Sequence, residues 1–274
     1  MKVFTLGKGF ISDHLEYPNI ADRMDTSSKA IKLWIDKYKP EVLINCIGKT
    51  GRPNVDWCES NQEETAKMNT AFPILLADVC QEKSIHLIQM GSGCIFFGPS
   101  PHALSTLDSG WTETDFANPQ SFYSKSKYAC DLMIGHMKHV TTLRIRMPIS
   151  DKNHPRNLIN KIKGYQQIID IPNSMTFMSD LVECIKWVIK GSQTGIFHVA
   201  NPEPVTAAQI MQEYQKYFPS HSFSIIDESK LDQLTIAKRS NCILNTDKLK
   251  HAGFQMTPSI EALNKCMEQY VKSL

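Results

Sequence analysis

The 274-residue chain predicts an α/β fold with a doubly wound parallel sheet, and three observations lead there. Short apolar runs alternate with longer amphipathic segments through the first half of the sequence, the rhythm of repeated β-α units. The run at residues 42–47 is apolar almost throughout, as strands are when helices cover both faces of a parallel sheet. Polar, turn-rich stretches follow these runs, at the carboxyl edge where doubly wound sheets bind ligands.

Composition narrows the function. Positive and negative charges nearly cancel at +2 and no Lys/Arg block stands out, so nucleic acid is not an expected partner. No apolar run reaches membrane-spanning length, since Asp78 interrupts the stretch at residues 72–80, and no membrane partner is expected. Met1-Lys2-Val3-Phe4-Thr5-Leu6 runs straight into a glycine turn and is too short for a signal peptide, which predicts a cytoplasmic protein. The eight cysteines are scattered, without Cys-x-x-Cys or Cys/His spacing suited to zinc, so no metal is expected. Seven read as reduced, mostly buried thiols; Cys94 is the exception.

Residues 2–6 form the first strand, followed by Gly7-Lys8-Gly9-Phe10-Ile11-Ser12 and a short helical run to Leu15. Glycines let the backbone approach a dinucleotide pyrophosphate and a helix start attracts the anion, so Gly7, Lys8, Gly9, Phe10 and Ile11 are candidate cofactor residues. Ser12 stands where the usual fingerprint has its third glycine, and an ordinary turn is the alternative. A second strand ends near Ile20-Ala21, before Asp22-Arg23. An acid there holds a ribose 2′-hydroxyl and an arginine accommodates a 2′-phosphate. Arg23 favours NADPH, with NADH as the alternative and a solvated surface charge as the plain reading.

Ser27 or Ser28 caps an amphipathic helix carrying Ala30, Ile31, Trp34 and Ile35, which ends before Pro40. The third strand, 42–47, delivers Ile47 and Gly48 as further cofactor candidates. Beyond it lies the polar stretch Lys49-Thr50-Gly51-Arg52-Pro53-Asn54-Val55-Asp56-Trp57-Cys58-Glu59. A helix over 61–80 contains Asn69. The fourth strand, 85–90, leads into Gly91-Ser92-Gly93-Cys94-Ile95-Phe96, and an irregular loop (98–118) reaches the next helix. The fifth strand is 140–146, with the cofactor candidate Met147 after it.

The alternation makes residues 1–146 a Rossmann-type nucleotide-binding core and 147–274 a smaller α/β substrate lobe, some segments of which return to the core. In the lobe the patterns predict a basic helix over 155–167, a strand over 168–171 and a helix over 178–190. A strand at 195–200 and a helix from a Thr206 cap to about 218 follow. The last helix has Thr257 at its N-cap and Pro258 in its first position.

Ser121-Phe122-Tyr123-Ser124-Lys125-Ser126-Lys127 opens the helix after the long loop, with apolar Ala129, Leu132, Met133 and Met137 in helical register. Tyr123 and Lys127 are four apart and share a face. An ammonium there would favour the phenolate and make Tyr123 a proton donor or acceptor. An exposed helix turn is the plain reading of the bare pair.

The glycine turn, Ser92 after the fourth strand and Tyr123-x-x-x-Lys127 resemble the extended short-chain dehydrogenase/reductases that act on nucleotide sugars. Further stretches narrow the resemblance: Thr50 to Glu59, Gly93-Cys94-Ile95-Phe96, Arg144-Ile145-Arg146-Met147-Pro148-Ile149-Ser150, Pro155-Arg156-Asn157 and Ile171-Pro172-Asn173-Ser174-Met175-Thr176. They are similar to the bifunctional nucleotide-rhamnose synthase/epimerase-reductases, relatives of dTDP-4-dehydrorhamnose reductase. The resemblance covers nearly the whole chain and is weakest at the glycine turn and around 98–110.

It implies a UDP-linked 4-keto-6-deoxy-glucose as substrate, inversion at C3 and C5, NADPH-dependent reduction at C4 and UDP-L-rhamnose as product. Tyr123 would be the acid, Lys127 its partner and the clamp on the nicotinamide ribose, and Ser92 a second hydrogen bond to the reacting oxygen. Inversion needs a base and an acid on opposite faces: a Cys94 thiolate and Lys161 match the implied positions, against the plain readings of a buried thiol and a solvated lysine. Asn157 and Arg239 would hold the diphosphate, Arg52 and Asn54 would border the pocket, and Asn69 would support a proton relay. A homodimer is the default, and the keto-sugar would come from a separate 4,6-dehydratase. The alternatives are a monofunctional dTDP/UDP-4-keto-rhamnose reductase and a non-catalytic NADP-binding regulatory subunit.

Overall fold

The structure is a computed structural model that describes residues 1–20, 26–102 and 110–274. The strands are β1 (Val3–Leu6), β2 (Asn19–Ile20), β3 (Val42–Asn45), β4 (His86–Ser92), β5 (Val140–Ile145), β6 (Pro148–Ile149), β7 (Gln167–Ile169), β8 (Thr176–Phe177), β9 (Gly195–Val199) and β10 (Ser224–Ile226). The helices are α1 (Ser28–Tyr38), α2 (Asp56–Ser60), α3 (Gln62–Ala66), α4 (Phe72–Glu82), α5 (Phe122–Ile134), α6 (Leu158–Ile162), α7 (Met178–Gly191), α8 (Ala207–Gln215), α9 (Glu228–Leu234), α10 (Asp247–His251) and α11 (Ser259–Lys272).

The main sheet runs β2-β1-β3-β4-β5-β9, parallel throughout. Its order reverses between β1 and β3, so the crevice beyond their carboxyl ends is the topological switch point where such sheets take ligands. Two apolar layers enclose it. Val42, Ile44, Ile88, Leu143 and Phe197 pack on α7 through Leu181, Ile185 and Val188. Leu43, Leu87 and Val140 pack on α1, α4 and α5 through Ile31, Leu76 and Cys130. Neighbouring strand residues face opposite sides of the sheet, which is why strands buried on both faces are largely apolar, interrupted here by buried polar residues such as Thr5, Gln89 and Arg144.

β9 and α7, though late in the chain, complete this core. The lobe proper has its own cluster around Ile149, Ile159, Phe177, Ile210, Met267 and Tyr270, with β6 paired to β8 and β7 to β10. Among the described residues no helix is long and apolar enough to cross a membrane.

Three expected elements differ. The helix over 61–80 is a succession of α3, a π-turn at Lys67–Ala71 and α4, preceded by the separate short α2, and the turn swings Asn69 inward. The expected helix over 155–167 shrinks to α6, because Asn157 caps it with its side chain and Gly164 follows its last turn. The last helix begins at Ser259 with Pro258 as its cap residue; Thr257 instead donates its hydroxyl to Asp180 at 2.8 Å. Thr206 does cap α8, in a reciprocal capping box with Gln209.

Candidate active site

At the switch point, Gly7 adopts φ +85°, and a Cβ there would stand 2.6 Å from Ile47 Cγ1. Only glycine lets the first turn lie this close to the loop after β3. The Ser12 hydroxyl accepts from the Gly9 amide at 2.8 Å and donates to the Gly9 carbonyl at 3.0 Å, so serine in the third position closes the turn through its side chain. Among the described residues the amides of Phe10 and Ile11 meet no protein acceptor. A tight, glycine-made cradle with open amides at the switch point fits a dinucleotide pyrophosphate. Phe10 stacks on His154 at 5.0 Å and meets His14 edge-on at 5.1 Å, which fixes the turn against the loop after β6. Lys8 and Gly48 are exposed along the crevice, and Met147 turns the chain away from β5 at φ 37°. Arg23 and its neighbour Asp22 lie outside the described residues.

Tyr123 and Lys127 occupy the start of α5, which several groups hold in place. Ser121 caps it by accepting from the Ser124 amide at 3.2 Å, and Glu59 Oε1 accepts from the Phe122 amide at 2.7 Å. Two otherwise unpaired helix-end donors are thereby satisfied. The Ser124 hydroxyl donates to the Cys94 carbonyl at 2.6 Å, pinning the end of β4 to the same helix. Asn69 accepts from the Lys49 amide at 2.7 Å and donates to the Lys49 carbonyl at 2.9 Å and to the Ser126 hydroxyl at 3.1 Å. Ser126 in turn donates to the Tyr123 carbonyl at 2.7 Å. Asn69 thus ties the loop after β3 to the helix that carries Tyr123.

The buried Lys127 ammonium donates to the Met90 carbonyl at 2.7 Å. It is not what sets Tyr123: burial pushes the phenol up, the adjacent Cys94 adds to this, and the hydrogen bond with Ser92 acts in the opposite direction. The expected downward pull of Lys127 is therefore corrected. With burial dominant, Tyr123 is a protonated acid across the neutral range, the form that a carbonyl reduction consumes.

Cys94 follows Ser92 by two residues and its amide donates to the Ser92 hydroxyl at 3.1 Å. The sulfur is partly exposed and accepts from Arg146 Nη1 at 2.9 Å. Lys161, on α6, is partly buried; burial first and then Arg156 lower its pKa, while Cys94 acts to raise it. A lysine so placed yields its proton more readily than a surface one. Ser92, Tyr123, Cys94 and Lys161 are thus gathered at the carboxyl ends of β4 and β5, Lys161 arriving from the lobe.

The rim residues divide. Arg52 is exposed beside the crevice, and Asn54 accepts from the Asp56 amide at 2.8 Å, starting α2. Arg239 forms a bidentate pair with Asp56, at 2.6 and 2.9 Å, which holds that carboxyl below its usual range against the opposing effect of burial. Its fork is engaged by this carboxylate, so the expectation of a free diphosphate clamp is corrected. Asn157 is corrected likewise: it is fully buried, its oxygen accepts from the Ser150 and Ile159 amides and its nitrogen donates to the Ser150 and Lys152 carbonyls. It is a loop staple with no capacity left for a ligand. Arg146, Glu59 and Arg156, whose Nη1 reaches the Thr50 hydroxyl at 2.5 Å, are functional candidates that the sequence alone does not single out. Arg146, like Arg144 two residues before it, is a charge set among apolar neighbours at a strand end, where it needs a partner.

Comparison with known proteins places the chain in a family. The family model of the RmlD substrate binding domain matches residues 12–272. The chain is 41% identical over 219 residues to the bifunctional dTDP-4-dehydrorhamnose 3,5-epimerase/dTDP-4-dehydrorhamnose reductase of Arabidopsis thaliana, covering 79% of this chain and 72% of that one. It is 38% identical over 234 residues to a trifunctional UDP-glucose 4,6-dehydratase/UDP-4-keto-6-deoxy-D-glucose 3,5-epimerase/UDP-4-keto-L-rhamnose-reductase of the same plant, covering 84% of this chain and 35% of that longer one. The crystal structure of the UDP-rhamnose synthase from Acanthamoeba polyphaga mimivirus superposes with a TM-score of 0.89 at 28% identity, over 97% of this chain and 99% of that one. A dTDP-4-dehydrorhamnose reductase from Bacillus anthracis, in complex with NADP, shares the fold with a TM-score of 0.81 at 18% identity, over 99% of this chain and 98% of that one. By a family match that spans nearly its whole length, the chain belongs to the RmlD substrate-binding domain family.

Proposed function

We propose that the protein makes UDP-L-rhamnose, by 3,5-epimerisation and NADPH-dependent 4-reduction of UDP-4-keto-6-deoxy-D-glucose. The observation that carries the proposal is the placement of Cys94, held by a guanidinium, two residues from Ser92 and in electrostatic contact with Tyr123 and Lys161. Relatives that carry the same pair of activities in their names support it.

The 4-keto group acidifies the hydrogens on C3 and C5, because the electron pair left behind spreads onto the carbonyl oxygen as an enolate. Cys94, as thiolate, takes the proton from one face and Lys161 returns one to the other, which inverts the carbon. The resulting thiol and amine recover their starting protonation through solvent, so each inversion brings in a solvent hydrogen. For the reduction, a bound nicotinamide cofactor would supply the hydride that C4 receives. Tyr123 donates the proton to the C4 oxygen and Ser92 hydrogen-bonds it. Lys127 and the Gly7–Ile11 turn would hold the cofactor, and the rim at Arg52 and Asn54 would border the nucleotide sugar.

A homodimer through α5 is part of the same reading, supported by Leu132 and Met133, which are 56% and 60% exposed on that helix. So are a cytoplasmic site of action and a separate 4,6-dehydratase as supplier of the substrate. The test is turnover of UDP-4-keto-6-deoxy-glucose with NADPH in deuterated water, read by NMR. Deuterium at C3 and C5 of a rhamnosyl product is the expected result. Consumption of NADPH without wash-in would reduce the protein to a plain 4-keto reductase.

A further inference from the structure

Arg146 is 1% exposed, and a guanidinium keeps its charge at any pH a protein survives. A buried charge normally finds a counter-charge, because leaving it unpaired is among the costliest arrangements in a fold. Among the described residues no carboxylate pairs with it. Nη2 donates to the Asn173 side-chain oxygen at 2.5 Å and to the Ser240 carbonyl, both neutral, and Nε has no partner. What remains is sulfur: Nη1 donates to Cys94 Sγ at 2.9 Å, and Cys242 lies in the same electrostatic neighbourhood.

The two sulfurs are not equivalent. Cys242 is 3% exposed, burial pushes its thiol up, and its S–H donates to the Gly93 carbonyl at 3.5 Å. It therefore stays a neutral thiol. Cys94 is partly exposed and spends no hydrogen on a protein acceptor among the described residues. Gly93 makes the arrangement possible: a Cβ there would stand 2.6 Å from Leu244 Cδ1 and 3.4 Å from the Arg146 stem.

We propose that Arg146 is the positioning residue of the epimerase base, its guanidinium serving as the built-in counter-ion of a Cys94 thiolate and fixing the direction in which the sulfur points. Asn173 and Ser240 set the guanidinium's orientation, and the buried Cys242 also contacts it but stays a neutral thiol because burial dominates there. This rests on the reading of Cys94 as the base.

The titratable groups around the sulfur are Arg146 from the end of β5, Lys161 from α6, Tyr123 from α5 and Cys242 from the segment after α9. Two of them are cations, so the test must separate Arg146 from Lys161. Iodoacetamide labelling of Cys94, followed by peptide mass spectrometry, reports the thiolate without any substrate. At one fixed pH of about 7.5, Arg146→Met should label at least about tenfold more slowly than the native protein, Lys161→Met should stay close to the native rate, and Arg146→Lys should fall between. Arg146→Met labelling at the native rate, or Lys161→Met slowing as much as Arg146→Met, each overturns the proposal. If Arg146→Met fails to fold, Arg146→Lys set against Lys161→Met still decides.

With keto-sugar, Arg146→Lys should lower deuterium wash-in at least about tenfold while reduction of an already epimerised substrate is spared. Equal loss of both activities would make Arg146 merely structural. Arg146-dependent labelling in a native protein that turns over no keto-sugar would sink the functional reading and leave the Arg146–Cys94 pair standing.

Discussion

Arg144 and Arg146 lie two residues apart at the end of β5, both buried, both beside a glycine of the neighbouring strand end (Gly91 and Gly93) that leaves room for the stem. Arg144 is neutralised. Its Nε donates to Asp131 at 2.8 Å, Nη1 donates to His198 Nε2 at 3.1 Å, and its plane lies 5.5 Å from the Phe96 ring. Asp131 belongs to α5, so the pair locks the helix of Tyr123 and Lys127 to the sheet. Arg146 meets amide and carbonyl oxygens and a partly exposed sulfur instead. The same residue type on the same strand thus does two jobs: a charge closed off by a carboxylate organises the fold, and a charge met by an ionisable sulfur at the pocket edge is available to chemistry.

The comparison is broken most severely by removing the carboxylate. Asp131→Ala strands Arg144 in the interior, and urea unfolding should show a loss of about 3–5 kcal/mol. A smaller loss would mean that Arg144 is solvated or paired elsewhere. On the other side, Asn173→Ala removes a neutral anchor of Arg146 together with neutral hydrogen bonds to the Cys242 amide and the Asn241 side chain, and the same measurement should show about 1–3 kcal/mol. A loss as large as that of Asp131→Ala would place Arg146 with the structural group.

His198 sharpens the contrast through pH. Its Nε2 faces the donor-only guanidinium and its Nδ1 bonds the Asn245 carbonyl at 3.1 Å, so the ring is neutral with the hydrogen on Nδ1. Burial, then Arg144, lowers its pKa well below the usual value. The unfolded chain takes up this proton near pH 6.5 and the folded chain does not, so the unfolded state binds more protons and stability rises with pH across that window. The contribution is complete above about pH 6.5 and is lost as pH falls, by at most about 1.4 kcal/mol per unit. His14 and His86 are also lowered by burial and act with the same sign. His198→Asn should remove one share of the slope between about pH 6.5 and 5, read from urea midpoints; an unchanged slope would contradict the buried neutral ring.

Much of this was legible from local signals. The strands of the main sheet, the glycine turn, Ser92, Cys94 and the Tyr123–Lys127 spacing all declare themselves within a few residues. The missed features depend on partners remote in sequence. Arg146 stands 52 residues from Cys94, and Arg239 stands 183 from the Asp56 that occupies its fork. Asn157 is the exception, since its partners Ser150, Lys152 and Ile159 are near in sequence, and only the closure of that loop shows where its hydrogen bonds go. The π-turn at Asn69 leaves no periodicity signal, since it shifts the register by a single residue within an unbroken helical run.

The central claim is that one pocket divides its work, with Cys94 inverting and Tyr123 reducing. The most direct measurement sets Cys94→Ala beside Tyr123→Phe in deuterated water with UDP-4-keto-6-deoxy-glucose and NADPH. Cys94→Ala should lose wash-in at C3 and C5 yet still oxidise NADPH with an already epimerised sugar. Tyr123→Phe should keep the wash-in while reduction falls by about 10²–10⁴. If the two variants lose both activities together, or if Cys94→Ala exchanges as fast as the native protein, the division of labour is wrong.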